Sequence, residues 1–130
     1  MSSESSTKIS FHDLIQKLGI TDQEYNILAD RKKMTLLREL VYSSKPLQVS
    51  VLQHWVPIHH AFERRGLYYS FEGTENLRQL LHYHLMYLVN KGYLGKTNHS
   101  FFAKEKGIEL IKKATQMKEA MGYEYNQYFY

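Results

Sequence analysis

The sequence predicts a mainly α fold that carries one small β-hairpin, with additional helices towards its N- and C-terminal ends. Three patterns predict it. Leu77, Leu81, Leu85 and Leu88 follow one another at steps of four, four and three, which keeps one face of a helix apolar. Tyr93 to Ala103 reads as two short strands about an Asn98-His99 turn. Helical periodicity also marks both flanks, with Phe11, Leu14, Ile15 and Leu18 on one side and Ile108, Ile111 and Ala114 on the other.

Taken in chain order, Met1 to Ser10 is polar and lacks the apolar segment of a signal peptide, so residues 1–10 are expected to be a flexible tail. Phe11 to Leu18 forms the first helix and Gly19 stops it. Thr21 or Asp22 caps a longer helical stretch reaching Tyr42, interrupted at Asp30-Arg31-Lys32-Lys33, where two helices can join. Ser43 to Pro46 is a turn, because the residue before proline avoids helical geometry. Leu47 to Val49 reads as a short strand, and a helix resumes from Ser50 with Val51, Leu52, Trp55 and Val56, extending through Pro57 with a kink. Gly66 to Gly73 is a loop or short extended piece holding the aromatic cluster Tyr68, Tyr69 and Phe71, which with Trp55 reads as core, the alternative being the lining of a ligand site.

Asn76 is the expected cap of the leucine-spaced helix, with Gln79 as its capping-box partner and Thr74 as a competing start. Gly92 stands at its end, where a left-handed residue is wanted. A helix then follows Lys104 to Gly107.

Composition bounds the rest. At 130 residues the chain fits one domain with an ordinary core, 43% hydrophobic and 23% charged. It has no cysteine, which excludes disulfides, thiolate metal sites and a cysteine nucleophile. No apolar run approaches the ~18 residues of a membrane span. Between Thr74 and Met121 eight Lys/Arg face four Glu, a surplus equal to the +4 of the whole chain. The basic half is therefore the half suited to an anion.

The polar face of the leucine-spaced helix carries Arg78, Gln79, His82 and Tyr83. These side-chain types suit a major groove: Arg pairs with guanine, Gln with adenine, and Tyr or His with phosphates or base edges. The hairpin tip, Lys96 to His99, is basic and amide-rich, which suits a sugar-phosphate backbone.

The run LLHYHLMYLVNKGYLGKTNHSFFAKEKGIELIKK, residues 80–113, resembles the winged helix-turn-helix regulators of the MarR and PadR kind. It has their leucine helix, a Lys-Gly-Tyr-Leu stop, a wing, and a helix start at Ala103-Lys104-Glu105-Lys106-Gly107 with Ala103 or Lys104 where Thr is usual. Upstream, Lys45-Pro46-Leu47 with Val49 and Leu52 looks like the helix before the turn. The stretch from Gly66 to Glu75 is longer than the family's compact turn. The resemblance implies a winged helix-turn-helix with extra N- and C-terminal helices. Asn76, Arg78, Gln79, His82 and Tyr83 would then belong to a recognition helix, and Lys96, Thr97, Asn98 and His99 to a backbone-contacting wing.

Residues 11–103 are thus expected to form the DNA-binding domain and 104–122 a dimerisation helix, whose stripe Ile108, Ile111, Ala114, Met117 and Met121 is narrow enough for a helix-helix seam, the alternative being that it packs on its own domain. Residues 123–130 are expected to be an aromatic tail that packs across the dimer, binds a protein partner or is partly disordered. The expected function is sequence-specific double-stranded DNA binding as a homodimer, in the role of a transcription regulator in the nucleoid-associated cytoplasm. The alternatives are a site-marking protein in plasmid or chromosome segregation, or a winged-helix module for protein interaction or RNA. No enzyme, cofactor or membrane role is expected, since no Gly-rich phosphate loop, Ser elbow or carboxylate pair stands out. Nor is a metal: His82 and His84 sit two apart on a helix and point to different sides, and His59-His60 are adjacent.

Overall fold

A computed structural model describes residues 10–55 and 74–130, with the side chains of 53–55 and 74–77 outside the description. The tail 1–9, the helical extension through Pro57, the aromatic loop Gly66 to Gly73 and His59-His60 therefore lie outside the described residues. So do the side chains of Trp55, Asn76 and Leu77. What is described is mainly helical, with one small antiparallel sheet.

Helix α1 spans Phe11–Leu18, with the Ser10 hydroxyl accepting from the Asp13 amide and Gly19 ending it at φ 67°. The interrupted stretch that follows is two helices, α2 (Asp22–Leu28) and α3 (Arg31–Val41). Thr21 and Glu24 form a reciprocal capping box on α2. The break falls at Asp30, whose carboxylate accepts from the Lys32 and Lys33 amides at 3.0 and 3.1 Å and starts α3 afresh. A polar run that only interrupts a stripe in the sequence is, in the structure, an N-cap.

Strand β1 (Leu47–Gln48) leads directly into α4 (Val49–Trp55). Helix α5 spans Thr74–Asn90, so it starts at the competing position and Asn76 lies inside it rather than capping it. Leu81, Leu85 and Leu88 are buried along it as their spacing predicts. Gly92 turns the chain at φ 88° into β2 (Leu94–Thr97), Asn98 takes a left-handed φ of 52°, and β3 (Ser100–Ala103) returns. Asparagine tolerates that conformation through its short polar side chain. Strand β3 is central: Leu47 and Lys96 both stand opposite Phe101, and Gly95 stands opposite Phe102. The Phe102 ring lies over Gly95, so a side chain at that position would have to displace the ring.

Helix α6 (Glu105–Met121) follows, with Lys104 as an N-cap that makes no side-chain cap bond. Here the structure corrects the dimer seam. Ile111, Ala114 and Met117 are buried in the chain's own core with Gly107 and Leu110, because α6 packs against α3 and α1. Met121 is half-buried against the same core. Ile108 is half-buried but lies about 100° round the helix from Gly107, off the buried face. Lys113 fastens α6 to α2, its ammonium 3.1 Å from both carboxylate oxygens of the buried Glu24 and 3.2 Å from the Gly19 carbonyl.

The aromatic tail also returns to this core. After a 3₁₀ turn at Gly122–Glu124, the short helix α7 (Tyr125–Tyr128) folds back onto α1 to α3. Tyr125 and Phe129 are buried, and Phe11 stacks on Tyr128 at 5.2 Å. Arg38 donates to the Tyr130 carbonyl and to the Tyr125 hydroxyl, and the Tyr130 amide donates to the Leu28 carbonyl. Tyr125 and Phe129 anchor the tail in the core, while Tyr123, Glu124, Asn126, Gln127 and Tyr128 stay exposed along it. The boundaries expected at 103 and 122 are element junctions within one packed unit.

Gly107 explains itself by this packing. A Cβ there would collide with the Tyr93 carbonyl oxygen, which already accepts from the Lys104 amide at 3.0 Å, and would lie 3.1 Å from Leu37 Cδ1. Gly107→Ala is expected to destabilise the fold by roughly 1–3 kcal/mol despite alanine's better helix propensity. Urea denaturation reads this directly, and an unchanged or raised midpoint would show that α6 can move away at no cost.

Candidate nucleic-acid interface

Helix α5 and the β2–β3 hairpin meet along a groove of about 300 Å³ lined by Gln48, Val49, Ser50, Arg78, His82, Lys96, His99 and Phe101. Helical spacing supplies one wall, since Arg78 and His82 are four residues apart and stack along the same edge of α5. Strand register supplies the other. Lys96 stands opposite Phe101 on the sheet, which brings its ammonium to 5.7 Å from the ring centroid, and His82 meets the same ring edge-on at 6.4 Å. Phe101 is itself buried, so it acts as the floor on which both basic walls rest. None of the residues lining the groove is a carboxylate.

Of the residues expected at a nucleic-acid surface, the structure brings together Arg78 and His82 from the helix with Lys96 and His99 from the hairpin. Thr97 and Asn98 are exposed at the hairpin tip but outside the groove. Gln79 and Tyr83 are exposed too, about 100° round α5 from Arg78 and His82 respectively, so they face away from the hairpin side. The side chain of Asn76 lies outside the description. Four lining residues were not expected at this surface, the polar Gln48 and Ser50 and the apolar Val49 and Phe101. Gln48 reaches the groove because it pairs with Ser100 across β1 and β3. That pairing joins positions 52 residues apart and leaves no local signal.

On its other flank α5 carries a cationic-aromatic ladder. The Lys33 ammonium lies 4.7 Å from the Tyr87 ring centroid and 5.8 Å from that of Tyr83, and Lys91 lies 5.7 Å from Tyr87. Lys33 also pairs with Asp30 at 2.8 Å. Burial would raise the Asp30 carboxyl, but the hydrogen bonds and charge of Lys33 outweigh it and hold the group below its ordinary value.

Beneath this ladder sits His84, buried, with an Nδ1 that has no hydrogen-bond partner. Burial first and the charge of Lys33 second, with a smaller push from Lys32, bring its pKa from 6.5 down to about 4 against the opposing pull of Asp30. Thus His82 and His84 do part to different sides, one into the groove and one into the interior. Among the described residues no group of three or more His, Cys, Asp or Glu could hold a metal, and no helix is long and apolar enough to cross a membrane.

The His84 shift has a consequence for acid stability. The native state holds His84 neutral while the unfolded chain binds a proton near pH 6.5, so stability is full above that value and falls as pH drops towards 4. The slope from this one group is at most about 1.4 kcal/mol per pH unit. His84→Leu is expected to flatten that window in urea titrations at pH 7 and pH 5. Parallel wild-type and variant profiles would show that His84 titrates alike in both states.

Comparison of the chain with protein-family models, with curated proteins and with solved structures finds no match.

Proposed function

We propose that the run from α3 through β1, α4, α5 and the β2–β3 hairpin is a winged helix-turn-helix unit that binds double-stranded DNA sequence-specifically, in the role of a transcription regulator. The observation that carries this reading is the groove: two permanent cations and two imidazoles, from a helix and from the hairpin that follows it, converge with no carboxylate among them. The packing of α4 against α5 and the pairing of β1 with β3 support it by tying the hairpin and helix into one rigid frame. Arg78 and His82 then lie where groove and backbone meet, with Gln79 and Tyr83 further round the helix for base edges. Lys96, Thr97, Asn98 and His99 follow the sugar-phosphate chain.

Pairing of half-sites by two-fold symmetry belongs to the same reading. It would use a surface other than Ile111, Ala114 and Met117.

Selection of bound fragments from random DNA tests the function as a whole. Enrichment of a defined site, with affinity falling steeply as salt rises, is the expected result. Weak, salt-insensitive binding with no enriched sequence would remove DNA as the partner.

A further inference from the structure

The groove has the size and chemistry of a ligand site as well as of a contact surface. At about 300 Å³ it stands at the lower end of small-molecule pockets. Polar groups reach it from three directions: Arg78 and His82 from α5, Lys96 and His99 from the hairpin, Gln48 and Ser50 from the β1–α4 junction. Phe101 and Val49 add apolar wall, which an inorganic ion would leave unused.

The charge argument separates two sources of phosphate. A backbone phosphodiester brings one negative charge, whereas a phosphomonoester brings about 1.5 to 2 near pH 7. Arg78 offers a planar fork and Lys96 a compact point charge, a pair matched to a dianion. Strand pairing holds the backbone of the hairpin wall, so ordering on binding is confined to the exposed side chains.

We propose that the groove is a regulatory site for a small phosphomonoester with a planar or apolar body, which competes with the DNA backbone for Arg78 and Lys96. The competition rests on the DNA-binding reading; the ligand site does not.

The test uses the full chain, titrated with adenosine 5′-monophosphate under observation of backbone amide resonances. Adenosine 3′,5′-cyclic monophosphate serves as the singly charged diester and adenosine as the neutral body. The monophosphate is expected to bind one to one, to shift resonances around residues 48–50, 78–82 and 96–101, and to bind at least about tenfold tighter than the other two. Arg78→Gln and Lys96→Gln should each abolish the shifts, while Lys112→Gln, on the exposed face of α6, should keep them. Equal binding of all three compounds, or shifts spread over surface lysines, would overturn the site. In a second arm, the monophosphate should displace a bound DNA duplex in fluorescence anisotropy. DNA binding with a silent groove defeats this inference and leaves the function standing. Groove binding without any DNA binding defeats the function and leaves the ligand site.

Discussion

Replacing Ile111 by glutamate is expected to unfold the protein. Ile111 is 3% exposed, on the side of α6 that also buries Leu110, Ala114 and Met117. A carboxylate there must either stay charged without a partner or take up a proton, and the packing of the lost isoleucine goes in either case. Either route, added to the lost packing, costs more than about 4 kcal/mol, against a total stability of only ~5–15 kcal/mol for a typical domain. Thermal unfolding followed by circular dichroism should lose its cooperative transition. Ile108→Glu is the contrast, since that side chain is half-buried off the core face, and it should remain folded. A helix-helix seam makes the opposite forecast, a folded monomer for Ile111→Glu. Sedimentation of a well-folded Ile111→Glu chain would therefore restore the seam and sink the core assignment.

Removing both permanent cations of the groove is expected to produce the largest functional loss. Arg78→Ala alone should cost about 1–3 kcal/mol of DNA affinity, the range for a bidentate contact. Lys96→Ala should weaken all sequences alike and lower the salt slope by about one unit, as for one phosphate contact. The double variant should lose on the order of 100-fold or more. Because both side chains line one groove, the two losses should not simply add, and a double-mutant cycle reads their coupling. Gln79→Ala, outside the groove, is expected to alter sequence preference and leave the salt slope unchanged. If Arg78→Ala/Lys96→Ala binds a selected site as wild type does, α5 and the hairpin are not the DNA surface.

Much of the local structure is legible in the residues themselves. The Phe11–Leu18 helix with its glycine stop, the leucine face of α5, the Asn98 turn and the hairpin strands each follow from periods and turn chemistry that act over a few residues. Capping was less legible. Thr74 and Asn76 both offer a start to α5, and only the formed helix discriminates between them. Asp30 looks like an interruption until its carboxylate is seen holding two amides.

The candidate site divides along the same line. Arg78, His82, Lys96 and His99 were recognisable as side chains suited to an anion, and their placement on a helix and a hairpin was readable from spacing. That they share a groove with Gln48 and Ser50 was not, since the Gln48–Ser100 pairing depends on strand β1 closing onto β3.

By itself, then, the sequence determined the order of helices and strands as far as α6, the turn that makes the hairpin, and the clustering of positive charge in its second half, but not the short helix α7. Tertiary structure alone decided what the apolar stripes face. A period of three to four marks a helix side as buried but carries no label for the partner, and burial against one's own chain and against a second chain obey the same physics. Packing of α6 on α3 took up the stripe that a seam would have needed, and the aromatic tail returned to α1–α3 with Tyr125 and Phe129 buried and Tyr123 and Tyr128 left outside. It also left the hairpin on a buried phenylalanine floor, which is why the basic residues of two separate elements meet in one groove.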